Sequence, residues 1–318
     1  MVCGESGAQP RCLDGVAVVA NGEVYNHNEL RQLLPRVATS GPPAPAPDCD
    51  IITELYTHFH NNHLVALPLL RGQFAFALYD PAARRLIVAR DTFGIVPAFV
   101  AKTRGPEQQV VVWAASTLAG LPDACLAVAE VPPGCALIIE GSQVDDGEFS
   151  FERFAPRVPT SRATHDRPTA GLQETADTLR AALRASVASC LMADECVEFG
   201  VLLSGGVDSA IVATLMAEQL SNMATEAQHS RRDTATAAAA ESSSGDGCNG
   251  PPGETDRAVG ATTPTIHSFH VTLAGSDPVE AAAAASVAAA LGLDHHVFSF
   301  SLEQGLAAVP QVQLRQLL

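Results

Sequence analysis

The sequence predicts an α+β domain followed by an α/β domain built on a parallel sheet, and three observations predict it. The first 140 residues alternate short strands with short helices. Residues 141–170 are polar and rich in Ser, Arg, Asp and Pro, the composition of an interdomain linker. From residue 171 onward the pattern reads helix, strand, glycine turn, helix, strand, helix, strand, an order that favours right-handed crossovers. At 318 residues the chain is long enough for both domains.

Each element has its own justification. Residues 15–20 form an apolar strand running into Asn21-Gly22-Glu23-Val24-Tyr25-Asn26. Short helices fit residues 27–34 and 50–60, the second with Asp48 placed to act as a cap. Residues 73–79 and 85–89 make a hairpin that turns through Asp80-Pro81. Further strands fall at 110–115 and, after the turn Pro132-Pro133-Gly134, at 135–140. In residues 173–192, Ala176, Leu179, Leu183 and Val187 share one helical face. Residues 199–203 form a buried strand, and a helix starts after the glycine turn. Residues 221–264 are a low-complexity run of Ala, Ser, Thr, Gly, Asp and Glu. Their small apolar content does not offset ordering entropy, so they read as a disordered insertion. A second strand covers 266–271. Its helix is announced by Asp277, by Pro278 at the first helical position and by Glu280, and it ends at Gly292. A third strand spans 297–300.

Composition excludes several classes. A formal charge of −16 opposes nucleic acid and anionic membrane as partners. The eight cysteines (3, 12, 49, 125, 135, 190, 196 and 248) show no Cys-x-x-Cys pair, which suits a reducing, cytoplasmic compartment. No signal peptide is visible at the start. The longest uncharged apolar run, residues 281–293, would span only about 20 Å as a helix, too short for a bilayer.

The richest chemistry lies at residues 201–209, Val-Leu-Leu-Ser-Gly-Gly-Val-Asp-Ser. A strand that ends in a glycine turn and a helix start presents backbone N–H groups and a positive helix end to an anion. The chain has no Gly-Lys pair, so this is not a Walker-type loop. Leu202 stands where a hydrolase elbow needs glycine. Ser204, Gly205, Gly206, Val207, Asp208 and Ser209 remain as the pattern of enzymes that split ATP into AMP and pyrophosphate, with Asp208 acting through Mg²⁺. By the switch-point rule the nucleotide lies beyond the strand C-termini, where Ser204 and Val271 both sit. His267, His270, His295 and His296 could suggest a metal. On the sequence they have no carboxylate partners, and a structural or nucleotide-side role is favoured, with no metal site expected.

Two motifs then agree. Asn21-Gly22-Glu23-Val24-Tyr25-Asn26 resembles a segment of class II glutamine amidotransferase domains, and Ser204 to Ser209 resembles the pyrophosphate loop of glutamine-hydrolysing asparagine synthetases. Asp48-Cys49-Asp50, Gly72 to Asp80, Arg90-Asp91 with Gly94-Ile95 and Pro97, His267-Ser268-Phe269 and His295-His296 are similar to the same family. The resemblance implies a truncated Ntn-type sandwich over residues 1–140, a linker, and the first part of an asparagine synthase domain over 171–318. It implies an oxyanion hole from the Asn21 side-chain amide and the Gly22 N–H. Glu23 and Asp48 would grip the α-amino group of glutamine. Leu202 and Val271 would meet adenine, with the 204–209 loop on the phosphates. Glutamine, aspartate and ATP are the implied partners, and a homodimer is implied for the full-length form.

The family's nucleophile is an N-terminal cysteine acting with its own amino group. Here Cys3 follows Met1-Val2, and Gly7-Ala8-Gln9-Pro10 matches a segment dozens of residues past that nucleophile. The expectation is an asparagine synthetase fragment lacking the nucleophile and the second ATP loop, inactive as it stands. An inactive nucleotide- or partner-binding remnant and a β-lactam-synthetase-like enzyme with another acceptor stay open beside it.

Overall fold

The computed structural model describes residues 8–34, 47–141, 144, 147–156, 171–191, 198–241 and 265–317. The chain divides into two compact units, residues 1–166 with 309–318, and residues 167–308.

In chain order the first unit contains β1 (Arg11–Leu13), β2 (Val16–Val24), α1 (His27–Leu33), α2 (Asp50–His58) and α3 (His63–Ala66). Then come β3 (Gly72–Asp80), β4 (Arg85–Arg90), β5 (Phe99–Arg104), β6 (Val110–Ala115), β7 (Ala127–Glu130), β8 (Cys135–Glu140) and β9 (Phe151–Arg153). One antiparallel sheet runs β1-β2-β3-β4-β8-β9, and a smaller one runs β6-β5-β7.

Period-two alternation decides what each sheet face buries. On β3, Phe74, Phe76 and Leu78 join a core with Ile51, Ile52, Leu55 and Tyr56 of α2. Ala75 points the other way, into a second core with Val88, Leu137 and, from the small sheet, Val100. Helix, sheet and sheet thus stack in layers. Each fully buried Phe, Ile or Leu there contributes roughly 1.5–3 kcal/mol. The hairpin between β3 and β4 turns as expected: Asp80 Oδ1 accepts the N–H groups of Ala82 and Ala83 at 2.9 and 3.0 Å. Its Oδ2 accepts the Tyr56 hydroxyl and the Asn61 amide, tying the turn to α2.

The segment expected as linker carries a strand instead. Phe151–Arg153 pairs with β8, and Phe149 and Phe151 pack on the second core. Two alternating aromatics suffice for an edge strand inside a polar stretch, and polar composition hides them. Lys102 closes over this segment, with Nζ donating to Gly147 O at 2.8 Å and standing 4.8 Å from the Phe149 ring centre. Residues 157–170 lie outside the described residues.

The second unit contains α4 (Leu172–Cys190), β10 (Phe199–Leu202), α5 (Val207–Glu241), β11 (Ile266–Leu273), α6 (Val279–Leu291) and β12 (Asp294–Phe300); α7 (Leu302–Leu317) follows. The sheet β10-β11-β12 is parallel throughout. Val201 and Leu203 face Ala213, Met216 and Leu220 of α5 and Ala284 and Ala288 of α6, so the alanines of α6 serve as close-packing surface. The opposite sheet face leaves Leu202, Val271, Phe298 and Phe300 exposed.

Two expectations change here. Residues 221–241, read as disordered, continue α5 as helix. Ala is the best helix former, and propagation from an anchored first turn needs no core contact. The rest of that run, 242–264, lies outside the described residues. The apolar face expected on α4 is barely used: Leu183 and Val187 are half-buried, whereas Leu179 is exposed. An Arg184–Glu218 ion pair at 2.6 Å links α4 to α5 instead.

Candidate functional site

The first group of expected site residues gathers at the end of β2. The Asn21-Gly22 pair is not a turn. It lies within the strand, with Asn21 opposite Ala75, Gly22 opposite Phe74 and Glu23 opposite Gln73. Gly22 has φ +112°, and a Cβ there would stand 2.0 Å from Gln73 O. Only glycine lets β2 approach β3 so closely with that backbone. Asn21 and Gly22 are exposed and Glu23 is half-buried, which leaves this rim open.

Asp48 is not the side-chain cap of α2. Cys49 occupies the cap position without a side-chain hydrogen bond. Asp48 Oδ2 instead accepts the Val24 N–H at 2.6 Å, joining the start of α2 to the end of β2. Cys49 is buried, with Sγ 3.8 Å from Gly22 O and 3.6 Å from Asp48 Oδ2. Burial first, then the Asp48 charge, pushes its thiol far up from the ordinary value, so it stays protonated.

Asp91 organises the neighbouring loop, a role that sequence reasoning did not assign. Its side chain is fully buried and accepts N–H groups from Phe74, Phe93, Ile95 and Val96 at 3.3, 2.9, 3.1 and 3.1 Å. Arg90 braces the same loop, donating to Val96 O, Gly94 O and Val131 O and pairing with Glu130 at 2.6 Å. Phe74 is the residue opposite Gly22, so Asp91 fixes the strand on which the rim rests. The signal available in sequence was an acid directly after an apolar strand, followed by Gly94 and Pro97.

The second group forms a loop between β10 and α5. Ser204 Oγ and Ser209 Oγ lie 3.0 Å apart, and the Ser204 N–H reaches Ser209 Oγ at 3.2 Å. Gly206 N–H donates to Ser204 Oγ at 3.3 Å, and Ser209 Oγ to Gly206 O at 3.0 Å. The Ala210 N–H to Gly206 O bond then opens the helix, with Val207 and Asp208 exposed in its first turn. Gly205 has φ +88°, and a Cβ there would meet Glu280 O at 2.4 Å. The loop is therefore seated on the start of α6. That helix begins at Val279, one residue later than expected, and Asp277 still accepts the Val279 N–H at 3.0 Å.

The strand ends are braced from the helix side. Buried His270 donates its Nδ1–H to Leu203 O at 2.9 Å, because a carbonyl can only accept. On the open face, Leu202 is 75% and Val271 58% exposed. Val271 lies two residues beyond Phe269, the β11 partner of Leu202, so both apolar side chains flank the same strand ends.

The four histidines all lie on strands, and the expectation that they lack carboxylates is corrected. His267 and His296 converge on Asp294, and Glu198 stands 3.4 Å from His267 Nε2. The pattern was invisible in sequence because the parallel register brings residues 27 or more apart onto one face. His295 belongs to the opposite face, where its Nδ1 meets Ser268 Oγ at 2.9 Å. Among the described residues, no helix is long and apolar enough to cross a membrane.

Both groups lie in segments that match known protein families. Residues 1–123 match the family model of the glutamine amidotransferase domain, and residues 178–315 that of asparagine synthase. A glutamine-hydrolysing asparagine synthetase of Triphysaria versicolor is 33% identical over 299 residues, which are 93% of this chain and 40% of that protein. One from Lotus japonicus is 31% identical over 96% of the chain and 42% of its own length. A probable asparagine synthetase of Dictyostelium discoideum is 28% identical over 97% of the chain and 47% of its own length. The chain thus spans less than half the length of the curated relatives it matches. With a glutamine amidotransferase segment followed by an asparagine synthase segment, the chain is similar along nearly all its length to glutamine-hydrolysing asparagine synthetases.

Proposed function

We propose that the chain carries part of the machinery for amidating aspartate with ammonia taken from glutamine, driven by cleavage of ATP to AMP and pyrophosphate. The observation that carries this reading is the 204–209 loop. Two hydroxyls, the amides after Ser204 and the first turn of α5 converge where strand β10 ends, beside an exposed apolar floor of Leu202 and Val271.

In this reading adenine rests on Leu202 and Val271. The Ser204 and Ser209 hydroxyls and the amides of Gly205, Gly206 and Val207 hold the pyrophosphate as it departs. Asp208 is an exposed carboxylate in the first helical turn and fits the hard oxygen-ligated Mg²⁺ that accompanies ATP. The aspartate carboxylate attacks the α-phosphorus, giving an aspartyl-adenylate and pyrophosphate. Ammonia then displaces AMP. In the first unit the Asn21 side-chain amide and the Gly22 N–H are oxyanion donors for glutamine hydrolysis. Glu23 and Asp48 hold the glutamine ammonium, and Asp48 has Oδ1 for it while Oδ2 stays on Val24. The layered stack of helices and two sheets supports the Ntn-type sandwich, and the proposed setting is cytoplasmic.

A second reading, a nucleotide-binding remnant without glutaminase activity, is favoured for the polypeptide of residues 1–318 by Cys49. It lies beside Gly22, and burial pushes its thiol well up from the ordinary value, which opposes a role as nucleophile. The test is calorimetric titration of this polypeptide with Mg·ATP, followed by an assay of ammonia release from glutamine. The expected result is saturable Mg·ATP binding, weakened at least tenfold by Ser204→Ala with Ser209→Ala, and no ammonia release. Identical titrations for both proteins would overturn the ATP reading, and measurable ammonia release would overturn the remnant reading.

A further inference from the structure

We propose that His267, Asp294 and His296 form a tripod for one borderline divalent transition-metal ion, of which zinc is the representative. The ligand atoms would be His267 Nδ1, one Asp294 carboxylate oxygen and His296 Nε2. These atoms stand 3.0 Å (His267 to Asp294), 3.1 Å (His267 to His296) and 3.2 Å (His296 to Asp294) apart. A tetrahedral ion with bonds of about 2.0 Å separates its ligand atoms by roughly 3.3 Å. The triangle is therefore close in size to the face such an ion needs.

The sheet builds this face. Asp294 and His296 lie two residues apart on β12 and so share a side. Parallel pairing of His267 with Asp294 and of Phe269 with His296 brings His267 onto that side. The rings of His267 and His296 stack at 5.4 Å, and Phe269 continues the stack 5.2 Å from His296, holding both imidazoles.

The remaining nitrogen of His267, Nε2, is buried and makes no hydrogen bond, with a carboxylate standing near it. Glu198, just before β10, places Oε2 3.4 Å from His267 Nε2. With the negative charge of that carboxylate favouring a proton on Nε2, the Nδ1 lone pair is left for the ion. Two imidazoles and one carboxylate suit zinc, nickel or cobalt over magnesium or calcium, which require an all-oxygen shell. Asp294 and His296 are exposed or half-exposed, so water completes the coordination. The tripod sits at the N-terminal ends of β11 and β12, whereas the 204–209 loop follows the C-terminal end of β10. It is therefore separate from Mg²⁺ carried with ATP, and its effect is to tie β11 to β12 at the start of the sheet.

Titration with Zn²⁺ against a chelating dye, and with Co²⁺ followed by visible absorption, tests this on the full chain. Expected are one site with cobalt d–d bands free of thiolate charge transfer, and a loss of at least tenfold in Zn²⁺ affinity in His267→Gln and in Asp294→Asn. Glu198→Gln, which removes a nearby charge and not a ligand, should lose less than either, and the exposed His229→Ala should lose nothing. Nitrogen-15 histidine spectra of the wild-type protein should show His267 and His296 moving on Zn²⁺ addition, a result independent of how the variants fold. Unmoved His267 and His296 signals, thiolate-type cobalt spectra alone, or equal affinity in wild type and variants would each reduce the cluster to a hydrogen-bonded ornament of the sheet.

Discussion

Gly22 and Asp91 show how single residues set the rim of the first unit. A Cβ at Gly22 collides with Gln73 O in a region of positive φ, so Gly22→Ala should cost about 2–4 kcal/mol from strain and overpacking. Trp113, the single tryptophan, lies in this unit on β6, and its fluorescence during urea unfolding reads that loss. Asp91→Ala strips the acceptor from four backbone N–H groups at a fully buried position. A loss of roughly 3–5 kcal/mol should follow by the same readout, and an unchanged urea midpoint would show that water replaces the carboxylate freely. His27 and His63 give a pH signature. Burial first, then Arg31 for His27 and Arg85 for His63, lowers both below the ordinary value of 6.5. The unfolded chain then binds more protons than the folded one just below that value, so stability is held above about pH 6.5 and lost as pH falls beneath it. The Trp113-monitored midpoint should be lower at pH 5.5 than at pH 7.5, with a smaller difference in His27→Gln/His63→Gln; equal midpoints in the wild type would refute the assignment.

Among the elements, the 204–209 loop depends on a helix that follows it some seventy residues later. Gly205 rests against Glu280 O at the start of α6, and His270 of β11 holds Leu203 O from the buried side. Gly205→Ala should therefore unseat the loop and weaken Mg·ATP at least tenfold while the far-ultraviolet circular dichroism stays near wild type. Retained affinity would mean that the loop can shift without α6. Much of this architecture was legible beforehand. The hairpin of β3 and β4 follows from alternation and Asp80-Pro81, and the three parallel strands follow from the strand–helix rhythm. β9 was not legible, since two aromatics in a polar segment carry too little pattern. Nor was the helical course of 221–241, where alanine propensity outweighed low complexity.

Across the whole molecule, two units with separate cores should answer ligands separately. Mg·ATP at a hundred times its dissociation constant stabilises the state that binds it by about 2.7 kcal/mol. Differential scanning calorimetry should show this as an upward shift of the transition belonging to residues 167–308, with the Trp113 transition unmoved. A common shift of both would mean that the units unfold as one.

Residue chemistry alone points to the family and to where its proposed sites lie. Ser204 to Ser209 after an apolar strand, with no Gly-Lys pair, reads as a pyrophosphate loop, and Asn21-Gly22-Glu23 reads as an amidotransferase rim, because local backbone demands are written in consecutive residues. Tertiary structure alone decides what is assembled across strands. Asp48 binds the end of β2 rather than capping its own helix, Asp91 supports the strand opposite Gly22, and His267 meets Asp294 and His296 through the parallel register. Such contacts depend on which strand lies beside which, and hydrophobic alternation fixes only the face of each strand, not its neighbour.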